Sequence, residues 1–182
     1  TANNLTVMAT TGNITDSGVI AVTGTSIFTA DAAGASITLD SANTFTGTVT
    51  FAGAGGLANV TIVDSNAFDL GALTLAGNLS VTTSGAITDS GNLSIGGTTT
   101  LAAGAANDIT LDQAGNNFTG AVAITTGNNV TLVDANAIDL GAATVSGTLT
   151  VTSNGAITDS GNLAVTGTAT LAAGAANNIT LD

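Results

Sequence analysis

The sequence predicts an all-β protein, a right-handed parallel β-helix (β-solenoid), and three observations carry that prediction. Long phrases return at an offset of 70 residues. Gly85–Leu93 recurs word for word as Gly155–Leu163, Leu101–Asn107 recurs as Leu171–Asn177, and Val63–Gly71 returns with two changes at Val133–Gly141. Between the phrases lie runs of four to six residues in which apolar side chains alternate with Thr, Ser or Ala, the signature of half-buried strands. The chain has 182 residues with 24 Gly and no Pro, and no stretch shows a helical period with caps.

A shorter period lies inside the long one. An apolar-Thr-apolar phrase closed by Asp ends at Asp16, Asp40, Asp64, Asp89, Asp112, Asp134, Asp159 and Asp182. Read as coil ends, these predict one repeat segment over 1–182. It holds a partial coil at 1–16 and coils at 17–40, 41–64, 65–89, 90–112, 113–134, 135–159 and 160–182. Each coil would hold about 23 residues, three coils would make the 70-residue super-repeat, and about 7–8 coils would give a rod on the order of 35 Å long.

Every unit has the same order of elements. A short polar turn follows the Asp, as at Ser41–Thr44. A large apolar residue comes next: Phe45, Phe68, Leu93, Phe118, Ile138 or Leu163. An alternating run such as Thr48–Phe51 or Ala121–Ile124 leads to a Gly or Asn bend, as at Gly127–Asn129, and a second strand such as Val130–Asp134 closes the unit. Gly, Asn and Asp supply the turn conformations. One coil cannot bury its apolar side, but a stack with each inward residue above its counterpart can. The strict six-residue step of left-handed solenoids and the leucine-rich repeat pattern are both absent.

Composition excludes much chemistry. There is no Lys, Arg, His, Cys, Pro, Trp or Tyr, and all twelve charged residues are Asp, for a net charge of −12. No imidazole, thiol or amine is present to act as base or nucleophile. The Cys/His zinc site is excluded, and without cations nucleic-acid binding has no means of displacing counterions. No apolar run reaches the roughly 20 residues of a membrane helix, and Thr1–Asn4 does not begin a signal peptide. The expectation is no enzyme, no cofactor, no resident metal, no nucleic-acid partner and no transmembrane segment.

The polar candidates are therefore few. The eight closing Asp would form a carboxylate column, held by Asx turns or, in a competing reading, by Ca²⁺, which takes oxygen ligands. The closest acidic pairs, Asp64 with Asp69 and Asp134 with Asp139, obey the repeat where a catalytic pair would break it. Phe45, Phe68 and Phe118 are expected to stack as core. Asn43, Asn66, Asn92, Asn136 and Asn162 are expected at turns or in an internal amide ladder. An ice-binding Thr array is suggested by Thr48–Thr50, Thr98–Thr100 and Thr168–Thr170. In the 23-residue register it is interrupted by Ala72, Ala121, Ala123 and Ala142. The departures from the repeat, Phe28–Asp31 and Ala52–Gly56, read as loop drift.

The phrases Asn129–Gly141 and Ser146–Asp159 resemble the repeat regions of bacterial filamentous-haemagglutinin-like and autotransporter-type exoproteins, and the resemblance covers the whole chain. It implies a secreted or outer-surface location and a structural rod or stalk in a surface adhesin or extracellular filament. Its partners would be adjacent coils of the same or identical chains and a cell-surface or carbohydrate ligand. An alternative is a fibre subunit that polymerises end to end, Asp182 followed by Thr1–Leu5 reading much like Asp40–Phe45. Another is a ligand-, Ca²⁺- or ice-binding solenoid module.

Overall fold

A computed structural model describes all 182 residues. It contains 23 strands and no helix, and every strand pairing is parallel. The fold is a β-solenoid, with about nine turns of about 20 residues. One sheet has nine strands, one per coil, and a larger sheet of fourteen wraps the remaining sides.

Alternation produces the strands and places the core. In Leu79–Thr83 the burial runs buried, half-buried, buried, exposed, buried, and in Val130–Asp134 Val, Leu and Asp point inward while Thr131 and Val133 point out. Stacking the inward residues produces one continuous core of 38 buried apolar residues. On the nine-stranded sheet Ile87, Ile109, Val130 and Leu149 lie directly above one another. On the larger sheet Ile14, Ile37, Val60 and Leu79 do the same. The expected Phe45–Phe68–Phe118 stack does not form. Phe28 faces Phe51 across adjacent rungs with centroids 6.1 Å apart, Phe51 lies 6.5 Å from Phe68, and Phe45 meets Phe28 edge-on at 5.8 Å.

The coil is shorter than the Asp spacing implies. Along the nine-stranded sheet the step from one rung to the next is 19 to 23 residues. The 70-residue repeat is therefore not three coils. From Val60 to Val130 the chain passes from one sheet to the other seven times. After Leu57–Asp64 the chain visits ten strands, three per coil: Phe68–Leu70, Leu73–Leu75 and Leu79–Thr83, then Ile87–Asp89, Leu93–Ile95 and Thr99–Ala102, then Ile109–Leu111, Asn117–Phe118 and Val122–Gly127, and last Val130–Asp134. Ten strands at three per coil make three and a third turns, so identical sequences lie in different sheets. Ile87–Asp89 is in the nine-stranded sheet, and its exact copy Ile157–Asp159 is in the larger one. Turns adapt to the change of side: Leu101–Asn107 reaches positive φ at Gly104, whereas Leu171–Asn177 does so at Ala176.

Asn side chains tie rung to rung at the bends. The Asn4 Oδ1 accepts from the Thr25 N–H at 2.9 Å, Asn59 from Asn78 at 2.8 Å, Asn78 from Thr98 at 2.8 Å, and Asn129 from Thr148 at 3.1 Å. The residue before each donor is Gly24, Gly77, Gly97 or Gly147, and a Cβ there would collide with the accepting Asn oxygen. Glycine is required at these bends because the amide carbonyl occupies the space a side chain would need.

Candidate functional site

The polar groups fall into two classes, those sealed inside the coil and those arrayed outside it. Inside, Asp64, Asp89 and Asp134 are buried, with Asn43 and Asn116 fully so. Asn116 donates from Nδ2 to the Asp89 Oδ2 at 2.7 Å and accepts the Leu93 N–H on Oδ1 at 2.8 Å. Asn43 repeats the arrangement, donating to the Asp16 Oδ2 at 2.8 Å and accepting the Ile20 N–H at 2.8 Å. The free oxygens of Asp16 and Asp89 take the N–H groups of Asp40 and Asp112 at 3.1 and 3.0 Å. Each clamp joins successive coils by satisfying a carboxylate, buried at Asp89 and half-buried at Asp16, with an amide and backbone donors.

Asp64 and Asp134 form the second internal type. Asp64 accepts the Phe45 and Asn66 N–H groups at 3.1 and 2.8 Å. Asp134 accepts those of Phe118 and Asn136 at 2.8 and 2.6 Å. Burial pushes both carboxyls above the usual carboxylate range, against the pull of the backbone donors. Asp89 is also raised by burial, with Asn116 and backbone donors opposing and the Asp112 charge adding to the rise. At the surface, the Asn129 N–H and the amides of Asn128 and Asn129 hold Asp108 below the usual range.

The expected carboxylate column does not exist. Asp64 lies between Asn43 and Thr83, Asp134 faces Ser153, and Asp89 faces Leu70. Where closing Asp residues do meet one coil apart, as Asp159 does with Asp182, the contact is a backbone N–H on a carboxylate, here 2.8 Å. No three acidic side chains gather as a metal site would need. The pairs Asp64/Asp69 and Asp134/Asp139 also separate. Asp64 and Asp134 are buried, whereas Asp69 and Asp139 lie half-exposed on the opposite sheets. Asp69 takes the Thr88 and Ser90 hydroxyls at 2.9 and 2.5 Å, and Asp139 takes those of Thr158 and Ser160 at 3.4 and 2.7 Å. Asn66 and Asn136 serve as turn donors to Asp64 and Asp134. The internal amide role belongs to Asn43 together with Asn116, which the Asp-to-Asn spacing had not singled out.

Outside, the expected array of Thr48–Thr50, Thr98–Thr100 and Thr168–Thr170 does not form, since Thr50 faces Ile27 and Thr100 faces Ala123, but the true register builds two other hydroxyl rows. On the larger sheet Thr15, Thr38, Thr61, Ser80 and Thr100 stand on five successive rungs, and Ala123 ends the row. Thr88, Thr110, Thr131, Thr150 and Thr170 form the same row on the nine-stranded sheet. The second row is the first, copied by the long repeat and carried to the next face by the one strand it adds beyond three full coils. Rung spacing places the hydroxyls about 4.8 Å apart. Beside the first row Ser36, Asn59, Asn78 and Thr98 line an open groove of about 470 Å³ whose walls carry no charged side chain.

A family model of repeats matches residues 1–52, 57–125 and 127–182. The chain belongs to the DUF5649 family. That family is described as repeats of unknown function. No curated protein and no solved structure matches the chain. The DUF5649 matches run through all nine rungs, so the family's repeat is the material of both hydroxyl rows and both Asp–Asn clamps. No helix of this DUF5649 chain is long and apolar enough to cross a membrane.

Proposed function

We propose that the chain is a rigid spacer, a rod or stalk segment of a bacterial surface adhesin or extracellular filament. One observation carries the reading: the chain's chemistry is spent on joining coil to coil. Asp–Asn clamps join successive rungs, bend Asn side chains bind the next backbone, and the groove beside the first hydroxyl row carries no charged side chain. A Thr, Ser and Asn exterior with exposed Asp40, Asp108 and Asp112 keeps the rod hydrated, and the resemblance to filamentous exoproteins supports an extracellular setting. Electron microscopy of the native material tests this. Tethered rods or uniform fibres are expected, and compact particles inside cells would remove it.

The unbroken hydroxyl rows favour a second reading, a face that orders water or a regular solid. Thermal hysteresis in a freezing solution of the chain is the deciding measurement, and its absence removes that reading.

A further inference from the structure

Alternation has a chemical by-product. A bend Asn followed by an inward apolar residue and an outward Thr or Ser spells Asn-x-Ser/Thr, the acceptor sequence for N-linked sugars. It occurs at Asn4, Asn13, Asn59, Asn78, Asn92, Asn117, Asn129 and Asn178. These copies differ in what the fold leaves free, because transfer needs an unengaged Nδ2 on an accessible, non-strand residue.

Four copies are blocked. The Asn59 Nδ2 donates to the Ser36 hydroxyl at 3.1 Å from within a strand, and the Asn129 Nδ2 donates to Asp108 at 3.1 Å. Asn117 is half-buried in a strand. Asn92 is exposed and makes no side-chain bond, but its amide lies beneath Gly115, where a Cβ would sit 2.5 Å from its Nδ2. The other four, Asn4, Asn13, Asn78 and Asn178, are exposed and precede a strand. In three of them the next coil holds Oδ1: Thr25 on Asn4, Ser36 on Asn13 and Thr98 on Asn78. Such a bond fixes the amide by its oxygen and leaves the nitrogen facing solvent. Asn178 makes no side-chain bond.

We infer that Asn4, Asn13, Asn78 and Asn178 are acceptor sites for N-linked glycosylation of the folded rod. The donor is a sugar activated at its anomeric carbon by a diphosphate leaving group. Nδ2 attacks that carbon and a C–N bond forms. The C–O bond to the diphosphate breaks, the diphosphate leaves with the electron pair, and one Nδ2 proton passes to a base on the transferase. This acceptor chemistry is independent of the rod role.

The test incubates the folded chain, and separately the heat-unfolded chain, with a soluble asparagine glycosyltransferase that reads Asn-x-Ser/Thr and its nucleotide-sugar donor. Intact mass and peptide mapping read the products. The folded chain should gain sugar at the four free sites alone, and the unfolded chain at blocked sites as well. The variant Thr6→Val, Thr15→Val, Ser80→Ala, Thr180→Val keeps every Asn and its bonds, and should lose transfer in the folded state. If the combined variant fails to fold, each single change should remove one mass increment. A folded chain left unmodified while a short Asn-x-Thr control peptide is modified overturns the inference. So does modification of the folded chain at Asn59 or Asn129.

Discussion

Replacing Asn116 with Ala would break one Asp–Asn clamp at both ends. Asn116 is fully buried, and its amide is the 2.7 Å donor to Asp89 and the 2.8 Å acceptor for the Leu93 N–H. Truncation leaves a buried carboxylate oxygen without its amide donor and a backbone N–H without an acceptor. Each orphaned group costs about 1–3 kcal/mol, with the charged one at the upper end, so about 4 kcal/mol is expected. For a chain of this size each kcal/mol moves the midpoint by about 2–4 °C, so the melting temperature should fall by about 8–16 °C. Circular dichroism melts at pH 7 measure it. Asn43→Ala, at the other clamp, should lose a similar amount. Asn78→Ala is the control: it removes an exposed amide bond and should cost about 1 kcal/mol or less. If Asn116→Ala melts within about 2 °C of Asn78→Ala, the clamps do not hold the coils together and the reasoning fails.

Other expectations rest on different groups. The Thr99 hydroxyl is buried without a partner in a column between Leu79 and Val122. Thr99→Val should therefore raise stability by about 1 kcal/mol, read by urea unfolding. A Cβ on Gly155 would sit 2.6 Å from the Ala137 nitrogen, whereas one on Gly18 would touch nothing. Gly155→Ala should cost about 1–3 kcal/mol from overpacking, and Gly18→Ala should be neutral or gain up to about 1 kcal/mol. Asp64, Asp89 and Asp134 all have raised folded-state values, so the folded chain holds protons more tightly than the unfolded one. Their contribution is fully present below the unfolded carboxylate value and is lost as pH rises through the raised values. Asp108 is shifted the other way and opposes them weakly from the surface. Urea midpoints should accordingly fall as pH rises from about 4, and a midpoint that climbs instead would contradict the burial of the three carboxylates.

Strand content was plain from Leu79–Thr83, Val130–Asp134 and their relatives, because inward Leu, Val and Ile alternate with outward Thr and Ser whatever the coil length. Coil length was harder to read. Asp looked like a coil end, yet it closes strands in both sheets: Asp64 and Asp159 in the larger, Asp89 and Asp134 in the nine-stranded. Bends of different length, such as Ser65–Ala67 and Ala103–Asp108, obscure the step from strand to strand. The column of inward residues also changes identity from rung to rung, with Thr99 between Leu79 and Val122. No single-residue pattern therefore marks the turn. The hydroxyl rows were missed for the same reason, since they appear only when Thr61 is set opposite Ser80. Asn43 is one of five Asn expected at turns or in an internal ladder, and its position after the Asp does not separate it from Asn66 or Asn136, which stay outside. The role of Asn116 depends on a partner 27 residues away.

The fold rests on its register, with coils of about 20 residues and three strands each, ten of which the long repeat crosses. The chain has no Cys, so engineered pairs report stacking on a clean background. Thr131 and Thr150 lie directly opposite on adjacent rungs, within the Cα range a disulfide spans, about 4.4–6.8 Å. Thr131→Cys with Thr150→Cys should crosslink nearly completely under mild oxidation. Thr131→Cys with Asn154→Cys, the pair that a 23-residue coil would stack, should stay reduced. Crosslinking of the second pair and not the first would contradict the fold described here.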